Sequence, residues 1–146
     1  MMSKYAELKR KGETAPADGI FYAFSDEQFA EGLAKCGYTQ ADVDSGKIVA
    51  DGFGGYGTME AFDKRNEFYA KLHERIKIEC MPDEIFSYEY WNYECNYTGD
   101  IEDALKVTQK YFPWYKPSKR LLNELEEKGL FNAWVSRTWN WWYLCF

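Results

Sequence analysis

Eight carboxylates crowd the stretch from Ile78 to Leu105: Glu79, Asp83, Glu84, Glu89, Glu94, Asp100, Glu102 and Asp103. The stretch holds no Lys, Arg or His, and between the acids stand Phe86, Tyr88, Tyr90, Trp91, Tyr93 and Tyr97. The whole chain is net −6, so the remainder is net positive and the asymmetry lies in one place. Acids at this density suit two chemistries. Spaced along a helix, they offer a substitute for phosphates to a protein with a basic groove, with Tyr and Trp supplying anchoring area. On that reading the contact residues are Glu84, Glu89, Trp91, Glu94, Asp100, Glu102 and Asp103. Alternatively, pairs such as Asp100 with Asp103, or Glu89 with Glu94, bind Mg²⁺ through oxygen or exchange protons. No nucleophile–base pair and no HExxH motif accompanies them, so the carboxylates favour a non-catalytic surface over an enzyme.

A second place for chemistry is the turn DGFGGYGT (51–58). Glycine-rich loops between a strand and a helix cradle phosphates. Gly54, Gly55 and Tyr56, with Lys47 or Lys64 reaching a phosphate, therefore make an alternative site for a sequestered nucleotide messenger. The spacing matches neither GxGxxG nor the Walker pattern, and a tight turn with φ > 0 explains the glycines equally well. Cys36, Cys80, Cys95 and Cys145 contain no CxxC, and His73 is the sole histidine. Such spacing fits free thiols rather than a zinc site, so no metal or cofactor is expected.

The elements that position these groups follow from periodicity and punctuation. A short helix is expected over 3–12, with Tyr5 and Leu8 inward. A β-prone run, 20–24, ends at Ser25, which with Gln28 forms a capping-box signal for a helix over about 26–36 closed by Gly37. Thr39 can cap a further turn, and 47–50 reads as a second strand. The longest helix is expected over about 58–80, with Phe62, Tyr69, Leu72 and Ile76 on one face. Pro82 then opens a helix over about 82–96 that is apolar nearly all round. Further helices are expected at about 100–111, capped by Thr98 or Asp100, and from Ser118 to a stop at Gly129. The tail alternates from Val135, a strand signal rich in Trp, so 134–144 is expected to complete the sheet or to pair two copies as a homodimer.

At 146 residues and 46% hydrophobic composition the chain is long and apolar enough for one folded domain. The expectation is therefore α+β: a small antiparallel sheet from about 20–24, 47–50 and 134–144, packed by four or five helices. The net charge of −6 opposes direct nucleic-acid binding. No apolar stretch approaches membrane-spanning length and the N-terminus has no signal-like core, which places the protein in the cytoplasm.

Three segments in order, GIFYAFSDEQFAEGLAKCGYT (19–39), KIVADGFGGYG (47–57) and YWNYECNYTGDIEDAL (90–105), resemble an uncharacterised family of small proteins from bacteriophages and mobile elements. The resemblance covers about residues 5–110. In the last segment Tyr93 stands where the family pattern carries histidine, so no acid–base or metal role transfers to that position. The resemblance implies a context rather than an activity: an accessory protein acting in a bacterial host cell. Together with the acidic surface, it points to a protein that binds and inhibits a host macromolecule, for example a nucleic-acid-binding defence nuclease of the CRISPR or restriction type.

Overall fold

The structure is a computed structural model and describes residues 2–130. The described chain divides into two compact units, one formed by residues 8–74 and the other by residues 2–7 with 75–130. Helices α1 (Lys4–Gly12) and α4 (Met59–Glu79) each contribute residues to both.

The 8–74 unit contains the sheet. Strands β1 (Ile20–Tyr22), β2 (Ile48–Ala50) and β3 (Gly55–Thr58) are antiparallel in the order β1-β3-β2. Phe21 pairs with Tyr56, and Val49 with Gly57. Because side chains alternate across a strand, Phe21 and Tyr56 share one face and Ile20 and Val49 the other. On the first face, Phe21 and Tyr56 join Leu33 and Phe29 of helix α2 (Asp26–Cys36) and Val43 of the short helix α3 (Gln40–Asp44). On the second, Ile20 and Val49 pack with Ala61 and Phe62 of α4.

Capping follows the sequence closely. Ser25 Oγ accepts the Gln28 amide at 3.2 Å, and the Gln28 side chain reaches back to the amide of Phe24 at 2.8 Å. Gly37 ends α2 at φ 72°, a left-handed conformation that costs glycine little. Thr39 and Asp42 form a reciprocal capping box on α3. In the middle of α2 sits Gly32, against the Phe21 ring. A Cβ there would stand 2.6 Å from Phe21 Cγ and 2.7 Å from Cε2.

The other unit is helical. Helix α5 (Pro82–Asn92) packs on α7 (Glu102–Tyr111), with α6 (Cys95–Thr98) between them in sequence and α8 covering 119–130. Phe86, Tyr90, Cys95, Ala104, Tyr115 and Leu125 form its core, flanked by half-buried Trp91, Ile101 and Leu105. The Pro113–Pro117 loop is held by Tyr115, whose hydroxyl donates to Asp83 at 2.6 Å and whose carbonyl accepts from Gln109 at 3.0 Å.

The α+β class holds, with corrections of detail. The third strand is the glycine-rich 55–58 segment, which pairs on both edges and so forms the centre of the sheet. The expected strand at 134–144, and the homodimer contact assigned to it, lie outside the described residues. The helix expected over 82–96 ends at Asn92, because Glu94 takes φ 53° and turns the chain before α6. Gly129 does not stop α8. It lies within the helix, where a Cβ would come within 3.2 Å of Asn96 Cβ. Tyr69, expected inward, is 46% exposed.

Candidate functional site: an acidic and aromatic corner

Most carboxylates of the 78–105 stretch have a partner within the fold. Glu79 pairs with Arg75 at 2.7 Å and with Lys4 at 3.5 Å. Asp83 accepts from Tyr115, and Glu84 accepts the backbone amide of Tyr5 at 2.9 Å. Asp100 accepts the Glu102 amide at 2.8 Å, capping the start of α7. Glu102 in turn pairs with Lys106 at 2.9 Å.

Glu89 departs furthest from expectation. Placed at the contact by its spacing, it is fully buried and belongs to no exposed face. Its carboxylate accepts the Tyr5 hydroxyl at 2.6 Å and the Asn92 amide at 3.0 Å. The Tyr5 ring also meets Tyr88 and Tyr111 edge-on, at 5.3 and 6.4 Å between centroids. Burial, and then the hydrogen bond to Glu89, push the Tyr5 phenol far above its ordinary pKa. A buried carboxylate needs such donors to be tolerated. Glu89 therefore fastens α1 to α5, and it can serve neither a surface contact nor an acid–base pair with exposed Glu94.

What remains exposed is a corner where α5, α6 and α7 meet. Glu94, Asp100, Glu102 and Asp103 are exposed there, together with Tyr93 at 42% and Tyr97 at 78%. The side chains of Glu94 and Asp103 make no hydrogen bond or ion pair among the described residues. Trp91 is half-buried against the core and meets Tyr90 edge-on at 5.2 Å. Glu84, bonded to Tyr5, is half-buried as well. Of the seven contact residues expected, the fold thus gathers four at one corner, leaves two partly covered and buries Glu89.

The glycine-rich turn has its own occupant. Asp51 Oδ1 accepts the amides of Phe53 at 2.7 Å and Gly55 at 2.9 Å, the groups a phosphate would use. Gly55 makes this fit, since a Cβ there would lie 2.8 Å from the Asp51 carboxyl carbon. Arg65 stands 3.6 Å from Asp51, donates to the Tyr22 hydroxyl at 3.1 Å and lies 4.9 Å over the Phe62 ring. The two amides, and Arg65 after them, hold the Asp51 carboxyl below its ordinary pKa. Lys47 pairs with Asp42 at 3.6 Å and Lys64 with Glu60 at 3.3 Å. Gly54 packs beneath the exposed ring of Phe24, and Tyr56 stacks on Phe21. The alternative site is therefore filled by the protein's own carboxylate, which no sequence motif announces.

Among the described residues no group of three His, Cys, Asp or Glu could hold a metal ion. The Cys80 thiol, pushed up to about 11 by burial and by Glu84 and Glu79, is poorly ionised at neutral pH. No helix of the described residues is long and apolar enough to cross a membrane.

Fold and corner together define a small α+β protein with an acidic, aromatic surface and an internally satisfied glycine-rich turn. The chain belongs to DUF7659, a family of unknown function whose model matches residues 4–128. No curated protein and no solved structure matches it.

Proposed function

We propose that the chain is a non-catalytic accessory protein of a phage or mobile element that binds and inhibits a host macromolecule in the bacterial cytoplasm. The partner class that fits is a host defence nuclease, whose basic nucleic-acid groove meets the corner of Glu94, Asp100, Glu102 and Asp103. The observation that carries this reading is the exposure of Tyr93 and Tyr97 beside Glu94 and Asp103, two acids whose side chains make no ion pair among the described residues. Aromatic anchors inside a charged rim are the composition of a protein contact. The phage setting comes from the resemblance of the three sequence segments, and it supplies the host as the place to look.

The test is retention of a host partner by the tagged full chain and by a Glu94→Lys/Asp103→Lys variant. Neither side chain bonds within the described fold, so the variant should keep the native circular dichroism. A stoichiometric protein lost in the variant, and lost from the wild type at high salt, supports the corner. A partner held equally by both proteins overturns it.

A further inference from the structure

The helical unit carries a half-open pocket of about 590 Å³ lined by α5, α6, α8 and the start of α7. That volume lies within the range of small-molecule sites, roughly 300–1,000 Å³. Ile101, Leu122 and Leu130 give it apolar walls, and Tyr90, Asn96 and Glu126 give it polar groups.

Tyr90 is 3% exposed and lines the pocket, and its hydroxyl has no hydrogen-bond partner among the described residues. The side chains of Asn96 and exposed Glu126 likewise make no hydrogen bond or ion pair to another described residue. Among the described residues that line the pocket there is no Lys, Arg or His. Its field is negative. Burial first, and then Glu126, raise the Tyr90 phenol, while burial followed by Asp100 and Asp103 raises the Cys95 thiol.

We infer that this pocket is a binding site for a small organic cation, an ammonium group carried on an apolar body of about aromatic size. Glu126 accepts from the ammonium, Tyr90 and Asn96 supply the remaining polar contacts, and Ile101 and Leu122 cover the body. The Tyr90 ring adds attraction for a cation over its face. Anions such as nucleotides are repelled. This inference does not require the corner contact, though Tyr97 borders both and Asp100 and Asp103 act on both.

The test titrates phenethylammonium chloride, and separately sodium 3-phenylpropionate, into the full chain, reading amide shifts by NMR and affinity by calorimetry. The cation should shift Gly99, Gly129 and their neighbours and bind with a Kd of about a millimolar or tighter. Glu126→Gln should weaken it about tenfold, the loss of one charge-assisted bond, and Tyr90→Phe by a smaller factor. The carboxylate should not bind. Equal binding of cation and anion, shifts elsewhere, or an unchanged affinity in Glu126→Gln would overturn the site.

Discussion

Replacing Gly32 by alanine tests how the sheet unit is built, because two effects of opposite sign meet at that atom. In a helix interior alanine is favoured over glycine by about 1 kcal/mol. Here the added methyl falls inside the Phe21 ring, within 2.6 Å of Cγ and 2.7 Å of Cε2. The ring has nowhere to go. It stacks on Tyr56 at 5.6 Å and leans on Phe29 at 5.6 Å, and it is 8% exposed. Overpacking of this kind costs about 1–3 kcal/mol, and three ring carbons in conflict place it at the upper end. The net expectation is a loss of about 2 kcal/mol, or roughly 8 °C in Tm for a chain of this length. Urea melts followed by far-UV circular dichroism measure it. In a Phe21→Leu background the same alanine should cost less, since the smaller side chain yields the space. Gly37→Ala is the control: nothing lies within 4 Å of its Cβ position, so its cost comes only from φ 72° and should be about 1 kcal/mol. A Gly32→Ala protein as stable as wild type would refute the seating of α2 on β1.

Tyr5→Phe removes a donor from buried Glu89 and should lower stability by about 2 kcal/mol, read as a shift in urea midpoint. An unchanged midpoint would mean that the carboxylate does not depend on Tyr5. Asp51, whose folded pKa lies below its unfolded one, stabilises the protein above about pH 4, and that contribution is lost as pH falls through the folded value. Asp51→Asn should accordingly narrow the gap in urea midpoint between pH 7 and pH 3. A gap as wide as in wild type would remove Asp51 from the acid sensitivity. Iodoacetamide at pH 8 should modify half-buried Cys36 before Cys80 and Cys95, as mass spectrometry of timed samples will show.

Helix starts and stops were legible in the sequence because their signals are local. Ser25, Gly37, Thr39 and Pro82 act within three or four residues of themselves, and each does what its type dictates. The central strand was not legible. Gly55 and Gly57 have low strand propensity, and they are accepted because Gly55 must clear the Asp51 carboxyl and Gly57 the Gly19 carbonyl. Nor did spacing reveal Glu89's burial. Its decisive partner, Tyr5, lies 84 residues away, and period alone cannot separate a carboxylate on a wet face from one with buried donors. Sequence separation likewise hid the anchor of Asp83 on Tyr115, 32 residues on. The acids of the corner stay exposed because they sit at helix ends, where α5 stops and α7 begins.

The way the two units share the chain governs the order in which the protein is finished on the ribosome. The sheet unit has all its internal partners once residue 74 has emerged. Residues up to Glu7 belong with a segment made later, and the bonds from Tyr5 to Glu84 and Glu89 must wait for about eighty more residues. Until then a Tyr built for a dry site has no dry site to enter. A premature stop after residue 74 would leave a complete sheet unit bearing an orphaned N-terminal helix end, whereas loss of the residues up to Glu7 would strip the helical unit of a donor that Glu89 uses. Deleting the residues up to Glu7 should therefore damage the unit built from residue 75 onward.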